Sequence, residues 1–143
     1  MTLSAPLQDI KIDVKIKLAG LWASTLFCYI YGDYFELYVP GKLAGMLSGQ
    51  MVPLGPVTQG VLLGTTIMLA VQCVMVCLSL LMKPALNRWV NVIFGLVCAA
   101  IVGAVIMQSG WVFYQLLGVI EIAFLLAIVW QAWTWPRVRA AGN

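Results

Sequence analysis

Apolar residues run in long blocks separated by short polar or Pro/Gly breaks, and the block lengths decide the fold class. A helix needs roughly 20 mostly apolar residues to cross the hydrocarbon core of a bilayer. Four stretches meet that length: Leu18–Tyr38, Val57–Met82, Trp89–Gln108 and Val112–Thr134. The breaks between them suit helix ends. Pro40-Gly41 follows the first block. Lys83-Pro84 follows the second, where proline disfavours a helical residue before it. Ser109-Gly110 gives a tight turn, and Pro136 closes the fourth. The pattern predicts an all-α polytopic membrane protein, a single domain of 143 residues with four transmembrane helices.

Two segments outside the blocks have their own patterns. In residues 1–17, Ile10 to Lys17 alternates apolar and charged positions, a strand-like period. No partner strand is evident, so this lead is predicted to be a short interfacial approach to the first helix, its lysine stems lying along the headgroups. Residues 40–56 are too apolar for an ordinary solvated loop. Gly41, Gly45 and Gly49 recur every fourth residue with Leu43, Met46 and Leu47 between them, and Pro53-Leu54-Gly55-Pro56 ends the run. A short interfacial or re-entrant helix is predicted there, because irregular backbone at membrane depth survives only where protein or water covers it.

Charge sets the expected orientation. Lys11, Lys15 and Lys17 lie before the first block, Lys83 and Arg88 between the second and third, and Arg137 and Arg139 in the tail of residues 135–143; Lys42 alone falls on the other side. Lys and Arg collect on the cytoplasmic side, so both termini are expected in the cytoplasm and the protein is expected to be integral to the plasma (inner) membrane. Trp22, Trp89, Trp130, Trp133 and Trp135 then fall toward the inner boundary, and Tyr31, Tyr34, Tyr38, Trp111 and Tyr114 toward the outer one, as aromatic belts would. The first block is followed by Phe-Glu-Leu-Tyr-Val-Pro-Gly-Lys rather than a small-x-small cleavage site, so it is expected to remain as an anchor.

Composition agrees and excludes several classes. The chain is 63% hydrophobic and 9% charged, with mean hydropathy +1.00, against about 45–50% and 25% in soluble domains. A net charge of +3 spread over this surface does not make a nucleic-acid footprint. Cys28, Cys73, Cys77 and Cys98 all lie inside blocks without a C-x-x-C pair, and the chain has no histidine. They read as packing residues, with no metal centre and no cofactor expected. No nucleophile elbow, phosphate loop or Cys–His pair is present. The one enzymatic class left open is a carboxylate-based membrane isomerase or transferase.

The candidate chemistry lies in acids inside the blocks. Asp33 and Glu36 end the first, Glu121 centres the fourth, and neither block holds a Lys or Arg. Trp22, Thr25, Tyr29, Asp33 and Glu36 are spaced three or four apart and share one helix face. Thr58, Thr65, Gln72 and Ser79 recur every seventh residue on the second helix; Tyr114, Gly118 and Glu121 share a face of the fourth, with Gln115 beside them. On a rise of 1.5 Å per residue, Asp33 sits roughly 7–8 Å outward of the first helix's midpoint and Glu121 roughly 3 Å outward of the fourth's, close enough in depth to meet. Such acids are costly in a bilayer, at least ~2.5–3.5 kcal/mol when charged near its centre. Three solutions exist: protonation, hydrogen bonds from Tyr29, Gln72, Tyr114 or Gln115, or an external proton or cation. Glu36 reads as interfacial, within reach of Lys42. Asn87 and Asn91 read as capping or anchoring the start of the third helix. Gly95, Ala99 and Gly103 form a small-residue ridge suited to helix packing or to a homo-oligomer contact.

Tyr31-Gly32-Asp33-Tyr34, Pro40-Gly41, Asn87-Arg88-Trp89-Val90-Asn91, Ile120-Glu121-Ile122 and Trp130-Gln131-Ala132-Trp133-Thr134-Trp135 resemble a family of small bacterial four-helix membrane proteins of unknown function. The resemblance spans about Leu18 to Pro136. It implies a four-helix fold and points to Asp33, Asn87, Arg88, Asn91 and Glu121, but it carries no activity. The family pattern has an acid and a proline on the second helix, where this chain has Ala70, Val71 and Gln72. A likeness to small multidrug transporters is architectural only. The expected function is a small carrier or channel-like protein with an outward-facing site at Asp33 and Glu121, flanked by Tyr29, Tyr114, Gln72 and Gln115, for a proton, a small cationic ligand or a hydrophobic ligand. The alternatives are a structural or accessory subunit and a lipid-binding or lipid-modifying protein. The expected partners are the bilayer and further copies of the chain, not nucleic acid.

Overall fold

A computed structural model describes residues 10–52 and 54–136. The first nine residues, Pro53 and the tail arginines Arg137 and Arg139 lie outside that range. Five helices carry the fold: α1 (Val14–Glu36), α2 (Lys42–Leu47), α3 (Gln59–Leu81), α4 (Pro84–Ile106) and α5 (Val112–Trp133), with β1 (Gln50–Met51) and β2 (Gly55–Pro56) between α2 and α3. Among the described residues, α3, α4 and α5 are long and apolar enough to cross a membrane, with mean hydropathies of 2.3, 2.4 and 2.3. α1 is as long, at 23 residues, but the stripe that holds Trp22, Thr25, Tyr29 and Asp33 dilutes its apolar content.

The helix starts explain where the sequence pattern misplaced boundaries. Asp13 caps α1, its carboxylate accepting from the Lys15 amide at 2.8 Å. Val14 to Lys17 therefore form the first helical turn rather than an approach to it, and the alternating pattern ends at Asp13. Thr58 caps α3 through a bond from the Val61 amide. α4 begins at Pro84, five residues before the predicted start at Trp89. Proline both ends the residue before it and suits the first helical position, where its missing N–H strands nothing. The segment expected to hold a short helix does so as α2. Gly41 enters it at φ 82°, a left-handed backbone that favours glycine. After α2 the chain doubles back in a two-residue antiparallel ladder, Gln50 opposite Pro56 and Met51 opposite Gly55.

The four long helices pack in the order α3, α1, α5, α4, and direct contact between α3 and α4 is sparse. The bundle has two unlike ends. At the closed end lie the start of α1, the end of α3, the start of α4 and the end of α5. Leu18, Trp22, Met75, Val92, Leu125, Ile128 and Ala132 form the core there, all buried. α4 meets α5 closely because Gly95 has no side chain: a Cβ there would lie 2.8 Å from Val129 Cγ2. At the open end the helices enclose a cavity, and residues 50–52 and 54–56 fold beside its mouth.

The closed end also contains a polar cluster. Trp22 Nε1 donates to Asn91 Oδ1 at 2.7 Å and Ser79 Oγ donates to the same oxygen at 3.2 Å. Asn91 Nδ2 donates to Asn87 Oδ1 at 2.6 Å, and Asn87 Nδ2 to the Ser79 carbonyl at 2.6 Å. All four side chains are fully buried. This corrects two expectations. Of the two roles expected for Asn87 and Asn91, capping fails, because the N-cap of α4 is Lys83; they anchor the start of α4 by tying it to α1 and α3. Trp22 belongs to the core rather than to an interfacial belt, whereas Trp89, Trp130 and Trp133 are exposed on the outside.

Candidate functional site

Part of each polar stripe expected on α1, α3 and α5 reaches the open end, while Trp22 and Ser79 lie in the closed-end cluster. The parts at the open end border a cavity of about 530 Å³ that includes Tyr29, Asp33 and Glu36 from α1, Thr65 from α3, and Tyr114 and Glu121 from α5. The two acids predicted on the first and last helices thus share one cavity, because α1 packs directly on α5. Their depths differ. Glu36 is the last residue of α1, Asp33 lies about one turn in, and Glu121 lies nine residues into α5, roughly 13 Å from its open end at 1.5 Å per residue.

Surroundings separate the three acids further. Glu36 is paired: Lys42 Nζ lies 2.7 Å from its Oε1 and also donates to the Val52 carbonyl at 3.1 Å. The expected reach of Lys42 to Glu36 is therefore made, and the same lysine straps the 50–56 turn to the end of α1. Asp33 is exposed toward the mouth. Glu121 is only 6% exposed, yet among the described residues it has no hydrogen-bond donor and no cationic partner, and its oxygens are not sealed in protein. A buried polar group normally finds a partner. Glu121 instead presents its carboxyl to the cavity.

The remaining walls are apolar. Met51, Val52 and Leu54 contribute from the turn, Val61, Met68 and Leu69 from α3, and Val102, Val105 and Ile106 from α4. Gly60 and Gly64, one turn apart on α3, also face it, and a Cβ at Gly64 would meet nothing within 4 Å. Gly118, one turn from Glu121, is the opposite case. A Cβ there would collide with Ile106, so this glycine is what lets α4 close against α5 just beside the acid.

Several predicted site residues lie elsewhere. Gln115 is exposed and donates to the Ser109 carbonyl at 2.8 Å, bridging the α4–α5 turn rather than flanking the acids. It lies a third of a turn from Tyr114, so it cannot share the face of Tyr114, Gly118 and Glu121. Gln72 is fully buried behind the wall, one turn below Met68; it lies beside Tyr29, donates weakly to Cys98 Sγ at 4.0 Å, and its Oε1 has no partner among the described residues. Arg88 stacks over Trp89 and Trp133, 5.5 and 5.2 Å from their ring centres, at the closed end. Of the small-residue ridge, Gly95 is used inside the chain against Val129, Ala99 packs on the core, and Gly103 meets nothing within 4 Å.

Sequence reasoning did not find the turn residues Met51, Val52 and Leu54 beside the mouth, nor the glycine pair of α3. The recurring glycines from Gly41 to Gly49 and the Gly60/Gly64 spacing were the available signals.

Among the described residues no three His, Cys, Asp or Glu side chains are grouped to hold a metal ion. No curated protein and no solved structure matches the chain. The sequence model of a family of unknown function, DUF6326, matches residues 9–141, nearly the whole chain, and the chain belongs to that family.

Proposed function

We propose that the cavity binds a proton or a small cation at Glu121, with Asp33 nearer the mouth, in a small membrane carrier or channel-like protein. The observation that carries this reading is Glu121 itself, buried to 6% exposure without a protein partner and opening onto a cavity. An acid retained only to join helices would be hydrogen-bonded, and interhelical polar bonds in membranes average only ~0.6 kcal/mol. Ionisable groups at membrane depth mark ion and proton paths more often than glue.

The reading takes α1 as a fourth span. Its 23 residues match the length of α3 and α4, and it packs between α3 and α5. Lys15, Lys17, Lys83 and Arg88 gather at the closed end, and Lys42 is at the other. The positive-inside rule then places the closed end toward the cytoplasm and the cavity mouth outside. The test is flux. Purified protein in liposomes carrying a pH-sensitive dye should conduct protons or a cation down an imposed gradient. Glu121→Gln should lower that flux at least tenfold and Asp33→Asn should lower it less. Equal, pH-independent flux in the wild type and both variants would refute the proposal.

A further inference from the structure

We infer that the cation taken by this cavity is organic and amphiphilic: a monovalent ammonium with an apolar body, its charged head at Glu121 and its body along the α3 and α4 walls. The inference rests on the cation-site reading above and narrows it to a class of ligand. Four observations carry it.

The first is the mismatch between the charge of the cavity and its walls. With Glu36 already paired to Lys42, the free acids are Glu121 at the base and Asp33 toward the mouth. Everything between them on α3 and α4 is apolar apart from Thr65, as with Val61, Met68, Val102 and Val105. Water and a hydrated ion gain little from such walls, whereas an apolar body gains by leaving water.

The second is donor supply. A hard metal cation exchanges its hydration shell for six or more oxygens. No described cluster of acids, cysteines or histidines supplies one. A quaternary ammonium, which has no N–H to hydrate, is weakly hydrated and needs one counter-charge with aromatic faces near it. Tyr29 and Tyr114 line the cavity with Glu121 and fit that need.

The third is size. A volume of about 530 Å³ is far beyond a proton or a bare ion, and falls within the roughly 300–1,000 Å³ of small-molecule pockets. The fourth is that the space is kept open by the sequence. Gly64 faces the cavity from α3, and a side chain there would meet nothing within 4 Å. Helix interiors disfavour glycine relative to alanine, and here no close approach of another helix requires it.

Binding to the full-length protein in an uncharged detergent, followed by calorimetry, tests the inference. The probes are benzyltrimethylammonium, its uncharged carbon isostere neopentylbenzene, and tetramethylammonium, which has the charge without the body. Benzyltrimethylammonium should bind one per chain, and the other two at least tenfold more weakly. Glu121→Gln should weaken benzyltrimethylammonium at least tenfold. Gly64→Phe should do the same by filling the cavity, while its thermal unfolding stays at or above that of the wild type. Neopentylbenzene binding as tightly as the cation would overturn the inference in favour of a neutral hydrophobe or lipid-tail site. Tight benzyltrimethylammonium binding that survives Gly64→Phe would overturn it by placing the ligand elsewhere. The two readings fail separately: proton flux that depends on Glu121 without any organic-cation binding sinks this inference and leaves the proton site standing. If neither depends on Glu121, both fall.

Discussion

Replacing Asn91 by leucine tests the reading that the closed end is held by its polar cluster. Asn91 Oδ1 accepts from Trp22 Nε1 at 2.7 Å and from Ser79 Oγ at 3.2 Å, and its Nδ2 donates to the Asn87 carbonyl at 2.9 Å and to Asn87 Oδ1 at 2.6 Å. Leucine has a similar volume but makes none of these bonds. Their losses are unequal. Ser79 can turn its hydroxyl onto a carbonyl of its own helix. Asn87 keeps the bond from its Nδ2 to the Ser79 carbonyl, but its Oδ1 loses the donor it had in Asn91. The Trp22 N–H has no such recourse, since the residue is fully buried and points at Asn91. One stranded buried donor costs about 1–3 kcal/mol, and the remaining bonds contribute nearer the membrane average of ~0.6 kcal/mol each. The expected loss is therefore about 3–5 kcal/mol. Reversible unfolding in mixed micelles by an SDS titration would measure it. A double-mutant cycle with Trp22→Phe isolates the bond: without the indole N–H that donor is not stranded, while the loss at Asn87 Oδ1 is common to both backgrounds and cancels, so the coupling should be about 1 kcal/mol. A change under about 0.5 kcal/mol for Asn91→Leu, or additivity of the two substitutions within about 0.3 kcal/mol, would refute the reasoning. The cluster lies away from the cavity, so ligand affinity of the folded variant should be unchanged.

Three further outcomes are expected. Gly118→Ala should destabilise by about 1–3 kcal/mol, because its Cβ would run into Ile106 between α4 and α5; Gly64→Ala, measured alongside by the same titration, should be neutral or stabilising by up to ~1 kcal/mol. Lys42→Ala should cost under about 1 kcal/mol, as partly exposed pairs do, yet release the bond to the Val52 carbonyl and speed amide exchange across residues 50–57. Glu121→Leu should raise stability while abolishing cation binding; a fall in unfolding midpoint would instead mark the acid as a structural tie.

The sequence carried the long helices because block length and the helical period are local properties. It also carried the stripes: Tyr29 with Asp33, and Gly118 with Glu121, are brought to the cavity by spacing alone. What it did not carry depends on which helices are neighbours. Asp33 and Glu121 share a cavity because α1 packs on α5, the first long helix on the last. Trp22 and Asn91 bond across 69 positions for a related reason. Read locally, an indole near a helix end suits the interface and an asparagine near a helix start suits a cap. The asparagine reading gave way because Pro84 starts α4 a turn before Asn87, which moves the asparagines inside the helix; the indole reading gave way because α1 starts at Val14, about two turns before Trp22, which bonds Asn91 in the core. Gln115 was misplaced by treating sequence adjacency as nearness on a helix face. The β1–β2 ladder left no pattern to read, since two-residue strands containing glycine and proline have no alternation.

The two ends of the bundle differ because of how they are connected. Met82 and Lys83 alone join α3 to α4, so those helices must meet at the closed end, and Ser79 and Asn87 are placed to bond there. At the open end α1 reaches α3 through residues 37–58, which imposes no such closeness. The helices can then diverge, and glycines on α3 leave the space unfilled. A carboxyl without a partner in that space costs stability, and a bundle of four long helices has little to spare. The close packing at Gly95 and Gly118 and the four-residue cluster at the closed end offset that cost from a distance. This division is the reason the two halves should respond oppositely to substitution: filling or neutralising the open half should strengthen the fold and weaken binding, whereas loosening the closed half should weaken the fold and leave binding to the folded fraction intact. A molecule whose acids served only to hold helices together would lose stability in both halves alike.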